Sequence, residues 1–139
     1  MSVMKHLLSR LFSKKPKPLT GTPPVRRLKN YSAQSGYVYQ YYYEGHRDSQ
    51  CAEGAAREYV FSISADNKNW HETSVLILNT AVEAWEHQHR RELNSTECYA
   101  VAKMALFQAF DERESPGTLK EAVSVRAPDL DAIVENLGL

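Results

Sequence analysis

The chain has 139 residues and a formal net charge of zero, from 17 Lys or Arg against 17 Asp or Glu, but the charges are segregated. Lys5, Arg10, Lys14, Lys15, Lys17, Arg26, Arg27 and Lys29 all fall in the first 30 positions, where there is no acidic residue, so the remainder is as acidic as the start is basic. No stretch approaches the ~18 consecutive apolar residues of a membrane span, and Cys51 and Cys98 match neither zinc-ligand spacing nor a dense disulfide framework, which points to a reducing, cytoplasmic setting.

Residues 1–30 read as a basic, Pro-rich flexible arm. Within it Met4, Leu7, Leu8 and Leu11 fall at i, i+3, i+4 and i+7, the stripe of a short amphipathic helix. Ser9 and Arg10 interrupt the apolar run, so it does not read as a secretory signal. Residues 13–30 combine four prolines with six basic side chains and read as a linker. Such an arm suits an anionic surface: an acidic protein, or lipid head groups, where each basic residue contributes roughly 1 kcal/mol. That would make the protein peripheral at a membrane. Nucleic acid is the weaker alternative, because the linker has no aromatic ring for base stacking and the body is acidic. The competing reading is a solvated tail, since isolated helices this short are marginal in water.

Residues 31–139 read as one acidic α+β domain, long enough to bury a core unaided. Gly36–Glu44 alternates Tyr37, Tyr39, Tyr41 and Tyr43 against Val38, Gln40 and Tyr42, a period of two that predicts a strand. Residues 45–56 read as a polar loop. Arg57–Ala65 alternates again, with Tyr59, Phe61 and Ile63 on one face, and Asp66–Asn69 supplies turn residues before a third strand over Trp70–Leu78. Thr80 with Glu83, and Asn94 with Glu97, are capping-box pairs that predict helices over about 80–92 and 95–112. The second has apolar residues on two sides, as a helix between two surfaces would. Ser115-Pro116-Gly117 ends it and Ala122–Val125 is a short candidate strand. Pro128 then opens a short C-terminal helix striped with Leu130, Ile133, Val134 and Leu137 and stopped by Gly138. The predicted fold is thus a three-stranded antiparallel sheet followed by two main helices packed on it, with a short C-terminal helix.

No residue pattern carries recognisable catalysis. Glu83, Glu86, His87 and His89 have helical spacings that could pair two metal ligands, but two ligands cannot close a site, and a solvated helix face is the simpler reading; no metal or cofactor is expected. His89 lies in line with Val82, Trp85 and Leu93, where a half-buried histidine bonded to a neighbour is expected. An enzyme would have to draw on His46, Cys51, His71 and His89 converging in one pocket. The leading expectation is a non-enzymatic interaction or adaptor domain whose basic arm docks on an anionic surface. The tyrosine face Tyr37, Tyr39, Tyr41 and Tyr43 is a candidate for a protein partner or self-association, against cross-strand packing beneath the helices.

Overall fold

The computed structural model describes residues 16–139. Its strands are β1 (Lys29–Ser32), β2 (Val38–Cys51), β3 (Gly54–Ser64), β4 (His71–Leu78) and β5 (Val123–Val125). Its helices are α1 (Asn79–His89), α2 (Ser95–Glu112) and α3 (Ala127–Leu137), with a 3-10 turn at Pro116–Lys120. The strands form a single sheet in the order β1-β2-β3-β4-β5, antiparallel except for the β4–β5 pair, which is parallel. The sheet curls into a half-barrel.

This corrects the expected three-stranded antiparallel sheet. β5 can join parallel to β4 only through a long crossover, and α1, α2 and the 3-10 turn supply it. At the other edge β1 straddles residue 30: Lys29 and Asn30 lie opposite Tyr41 and Gln40. Both added strands are short and lie at the sheet edges: the candidate strand at Ala122–Val125 is β5, whereas four-residue β1 has too few residues for its periodicity to register. The C-terminal helix is no minor element either, since α3 and α1 each have 11 residues.

β2 is also longer than its tyrosine run implies. The β2–β3 register shifts between Tyr43 and Gly45, so the strand bulges there. Tyr39, Tyr41 and Tyr43 point to the concave side before the bulge. After it His46 and Asp48 do, opposite Tyr59 and Arg57. The alternation jumps one place, which is why residues 45–51 resemble a polar loop when read in a single phase.

The core lies between the concave face and the helices. Tyr39, Tyr59, Phe61, Ile63 and Val75 from the sheet meet Val101, Leu106 and Phe110 of α2, all at most 2% exposed. α2 touches β4 and β5 on one side and α3 on the other, which accounts for its two apolar sides. Asn94 and Glu97 form the reciprocal capping box at its start. α1 has no side-chain cap: Leu78 holds that position because β4 runs straight into the helix and Leu78 is buried. α3 seats Leu130, Ile133 and Val134, and a bidentate Arg126–Glu53 pair fastens its start to the β2–β3 turn.

The convex face is polar and tied down. Arg26 donates to both oxygens of Glu44 at 3.0 and 2.9 Å and lies 4.1 Å over the Tyr42 ring, while Ser62 donates to Glu44 at 2.8 Å. Arg47 and Ser74 both donate to Glu58. Thr20 exchanges backbone hydrogen bonds with His46, so residues 16–28 strap the free edge of β2.

Candidate functional site

A cleft runs along the concave side, between β2–β3 and the first turns of α2. The bulge in β2 keeps Tyr41, Tyr43 and His46 facing it. Across the gap α2 presents Tyr99, and Lys103 and Phe107, each four residues further on and hence on the same helix face, lie beside Tyr41. The outer section, about 320 Å³, lies between Pro23, Pro24, Arg27, Lys29, Tyr41 and Tyr99. Beside it lies a second section of about 370 Å³ with His46, Arg57, Tyr59, Ser95 and Thr96 on its walls, the two sharing Pro23, Tyr43 and Tyr99. A third section, reaching Asn79, Glu86 and Cys98, shares Arg57 and Tyr59. The three sections are neighbours along the same side of the sheet, separated by the side chains they share.

Its surface is aromatic, with hydroxyls and cations set into it. The Tyr43 and Tyr99 rings are 4.7 Å apart. Burial raises the hydroxyls of Tyr43, Tyr59 and Tyr99 and pushes Tyr41 up to about 12, so all four are neutral phenols near pH 7. His46 has both ring nitrogens engaged, Nδ1 with the Tyr43 hydroxyl at 3.0 Å and Nε2 with the Thr20 hydroxyl at 3.2 Å. Burial raises the Cys98 thiol, so it is neutral and a poor nucleophile.

The cations are weakly compensated. Arg57 has a long contact of 3.9 Å to Asp48, whose side chain is 69% exposed, and such a pair contributes little. Arg27, Lys29 and Lys103 form no ion pair among the described residues. Lys29 pairs with Tyr41 across the sheet and shares its concave face. The Lys103 ammonium lies 6.0 Å from the Tyr41 ring and 5.8 Å from the Phe107 ring. Burial, then the Lys29 charge, lowers the Lys103 amine.

The sequence-predicted residues divide sharply. Lys5, Arg10, Lys14 and Lys15, with the Met4–Leu11 stripe, lie outside the described residues. The Lys17 carbonyl accepts from Arg47, and Arg26 is committed to Glu44 and Tyr42. Only Arg27 and Lys29 of that set reach the cleft. Tyr39 is 0% exposed beneath α2 and presents no surface, and Tyr41, 4% exposed, reaches only the cleft wall, whereas Tyr37 is exposed and Tyr43 half-buried.

His46, Cys51, His71 and His89 do not converge. Cys51 lies five residues along β2 from His46, ~17 Å at strand rise. His71 starts β4 opposite Ile63, and His89 stacks on Trp85 near α3, its Nδ1 2.9 Å from the Trp85 carbonyl. No group of three or more His, Cys, Asp or Glu side chains that could hold a metal ion occurs among the described residues. No described helix is long and apolar enough to cross a membrane.

Sequence reasoning missed Arg57, Tyr99 and Lys103. The i, i+4 spacing of Tyr99, Lys103 and Phe107 was visible, but nothing in it shows that this helix edge faces β1 and β2.

A pH dependence follows from the histidines. Burial lowers both His46 and His71, with Arg57 adding to the effect at His46 and Lys120 at His71. Below the ordinary value of ~6.5 the unfolded chain therefore binds protons that the native histidines refuse, so stability falls as pH drops. Urea unfolding should give a lower free energy at pH 5.5 than at pH 7.5, and His46→Gln should flatten that slope. An equal slope in the variant would show that His46 is no more protected than in the unfolded chain.

Comparison with protein-family models, with curated proteins and with solved structures finds no match for this chain.

Proposed function

We propose that this protein is a non-enzymatic interaction domain that docks on an anionic partner surface through the basic residues of its first 30 positions. The observation that carries this reading is the run of cations without an ion pair among the described residues, Arg27, Lys29 and Lys103, where those positions join the folded body. Cations that stabilise a fold are usually paired, as Arg26, Arg47 and Arg126 are here. Cations left unpaired next to a basic segment raise the local concentration of negatively charged partners. An acidic protein or an acidic lipid leaflet has the required chemistry.

The test is cosedimentation of the full chain with phosphatidylserine–phosphatidylcholine vesicles, beside pull-down on immobilised polyglutamate. Replacing Lys14 and Lys15 with Gln should weaken binding about 30-fold, at roughly 1 kcal/mol per charge. Salt near 0.5 M should weaken the wild type as well. Binding to neither support at ~0.1 M salt, or binding indifferent to both changes, would overturn the reading.

A further inference from the structure

The cleft goes beyond surface docking, because a second lysine, Lys103, is packed against Tyr41 beside the Lys29 that lines it. β1 places Lys29 opposite Tyr41 on the same face of the sheet, and α2 brings the Lys103 ammonium to 6.0 Å from the Tyr41 ring. Two ammonium groups drawn to one spot repel, and Lys103 is half-buried, which adds desolvation. No carboxylate among the described residues pairs with either. Methionine at position 103 would cover Tyr41 and Phe107 equally well without the charge. The arrangement acquires a purpose when an anion bridges the two amines.

The space beside them specifies the rest of such a ligand. Tyr43, Tyr99, Pro23 and Pro24 wall a cavity of about 320 Å³, a small-molecule size. Aromatic and proline walls suit a flat apolar body, and the neutral tyrosine hydroxyls can donate to its polar edge. We infer that this cleft binds a small anion, a phosphate ester or carboxylate on an aromatic or otherwise flat body, with the anionic group between Lys29 and Lys103 and the body against Tyr43 and Tyr99.

The probes are phenyl phosphate, phenylacetate and inorganic phosphate, titrated into the full chain by calorimetry and by tyrosine fluorescence. Phenyl phosphate or phenylacetate should bind saturably, and phenyl phosphate at least tenfold more tightly than inorganic phosphate. Lys103→Met should weaken the preferred aryl anion about tenfold, a change of ~1.4 kcal/mol, as should Lys29→Met. Free of ligand, Lys103→Met should be at least as resistant to urea as the wild type, since it relieves the repulsion; a lysine kept only for packing would not show that opposition of stability and binding. The Lys14→Gln, Lys15→Gln variant should retain full affinity for the aryl anion, which separates this site from docking by the basic segment. Absence of saturable binding by either aryl anion, equal affinity for inorganic phosphate, or unchanged affinity in Lys103→Met would each overturn the inference.

Discussion

Replacing Phe110 with alanine is expected to remove about 3–5 kcal/mol of stability, the cost of deleting a large buried ring together with the cavity left behind. Phe110 is 0% exposed, and its ring stacks on Tyr39 at 4.1 Å and lies 5.8 Å from Tyr31 and 6.3 Å from Tyr41. It is thus where β1 and β2 are joined to α2. The same residue's carbonyl accepts from Ser35 at 2.7 Å, and its neighbour Asp111 accepts from the Tyr31 hydroxyl at 2.8 Å, so the β1–β2 turn docks on the end of α2. With total stabilities of ~5–15 kcal/mol typical, such a loss is at least a fifth of the total. Urea unfolding followed by circular dichroism measures it, and Phe107→Ala, half-buried against Tyr31 and Tyr41, should cost less. A loss below ~1 kcal/mol for Phe110→Ala would show that β1 and the start of β2 are not seated on this helix.

Gly45→Ala is the second large expected effect, and it acts on the strap. Gly45 has φ +130°, a conformation that L residues adopt only under strain of about 1–3 kcal/mol. A Cβ there would lie 2.8 Å from the Thr20 carbonyl oxygen and from the Thr22 hydroxyl. The backbone contact cannot yield without moving residues 19–22, a further cost of about 1–3 kcal/mol for overpacking. Together these come to about 2–6 kcal/mol. The strap should detach first, releasing Arg26 from Glu44 and exposing the Arg26 and Arg27 bonds to trypsin. Limited proteolysis should therefore cut the variant there at a protease level that spares the wild type. Gly117→Ala is the control, since that glycine has an ordinary φ and open space around its Cβ position; cleavage no faster in Gly45→Ala than in this control would refute the strap's attachment at the bulge.

The strap also explains why the basic segment was only partly legible. Arg26 and Lys29 have the same charge in the sequence, yet one is neutralised by Glu44 from 18 residues away and the other faces a second lysine from α2. Nothing within ten residues of either distinguishes them. Asp66 is the opposite case, a residue whose role is local. It accepts from the Lys68 and Asn69 amides at 2.9 and 2.8 Å, and those hydrogen bonds hold its carboxyl well below the usual carboxylate range. The turn it builds was plain from Asp66–Asn69 alone.

Features that depend on near neighbours are legible in the residues alone: the tyrosine strand, the turn at Asp66, the capping box of Asn94 and Glu97, and the stripe and glycine stop of α3. So is the charge asymmetry, which is a property of composition. The five-stranded mixed sheet came from long-range pairing: the Ala122–Val125 strand takes its place only by aligning parallel with β4, and β2 runs on to Cys51 because a bulge held against the strap restores its phase. The cleft belongs to the tertiary structure too: Lys29 and Lys103 are 74 positions apart, and only the packing of α2 along β1 and β2 brings both beside Tyr41.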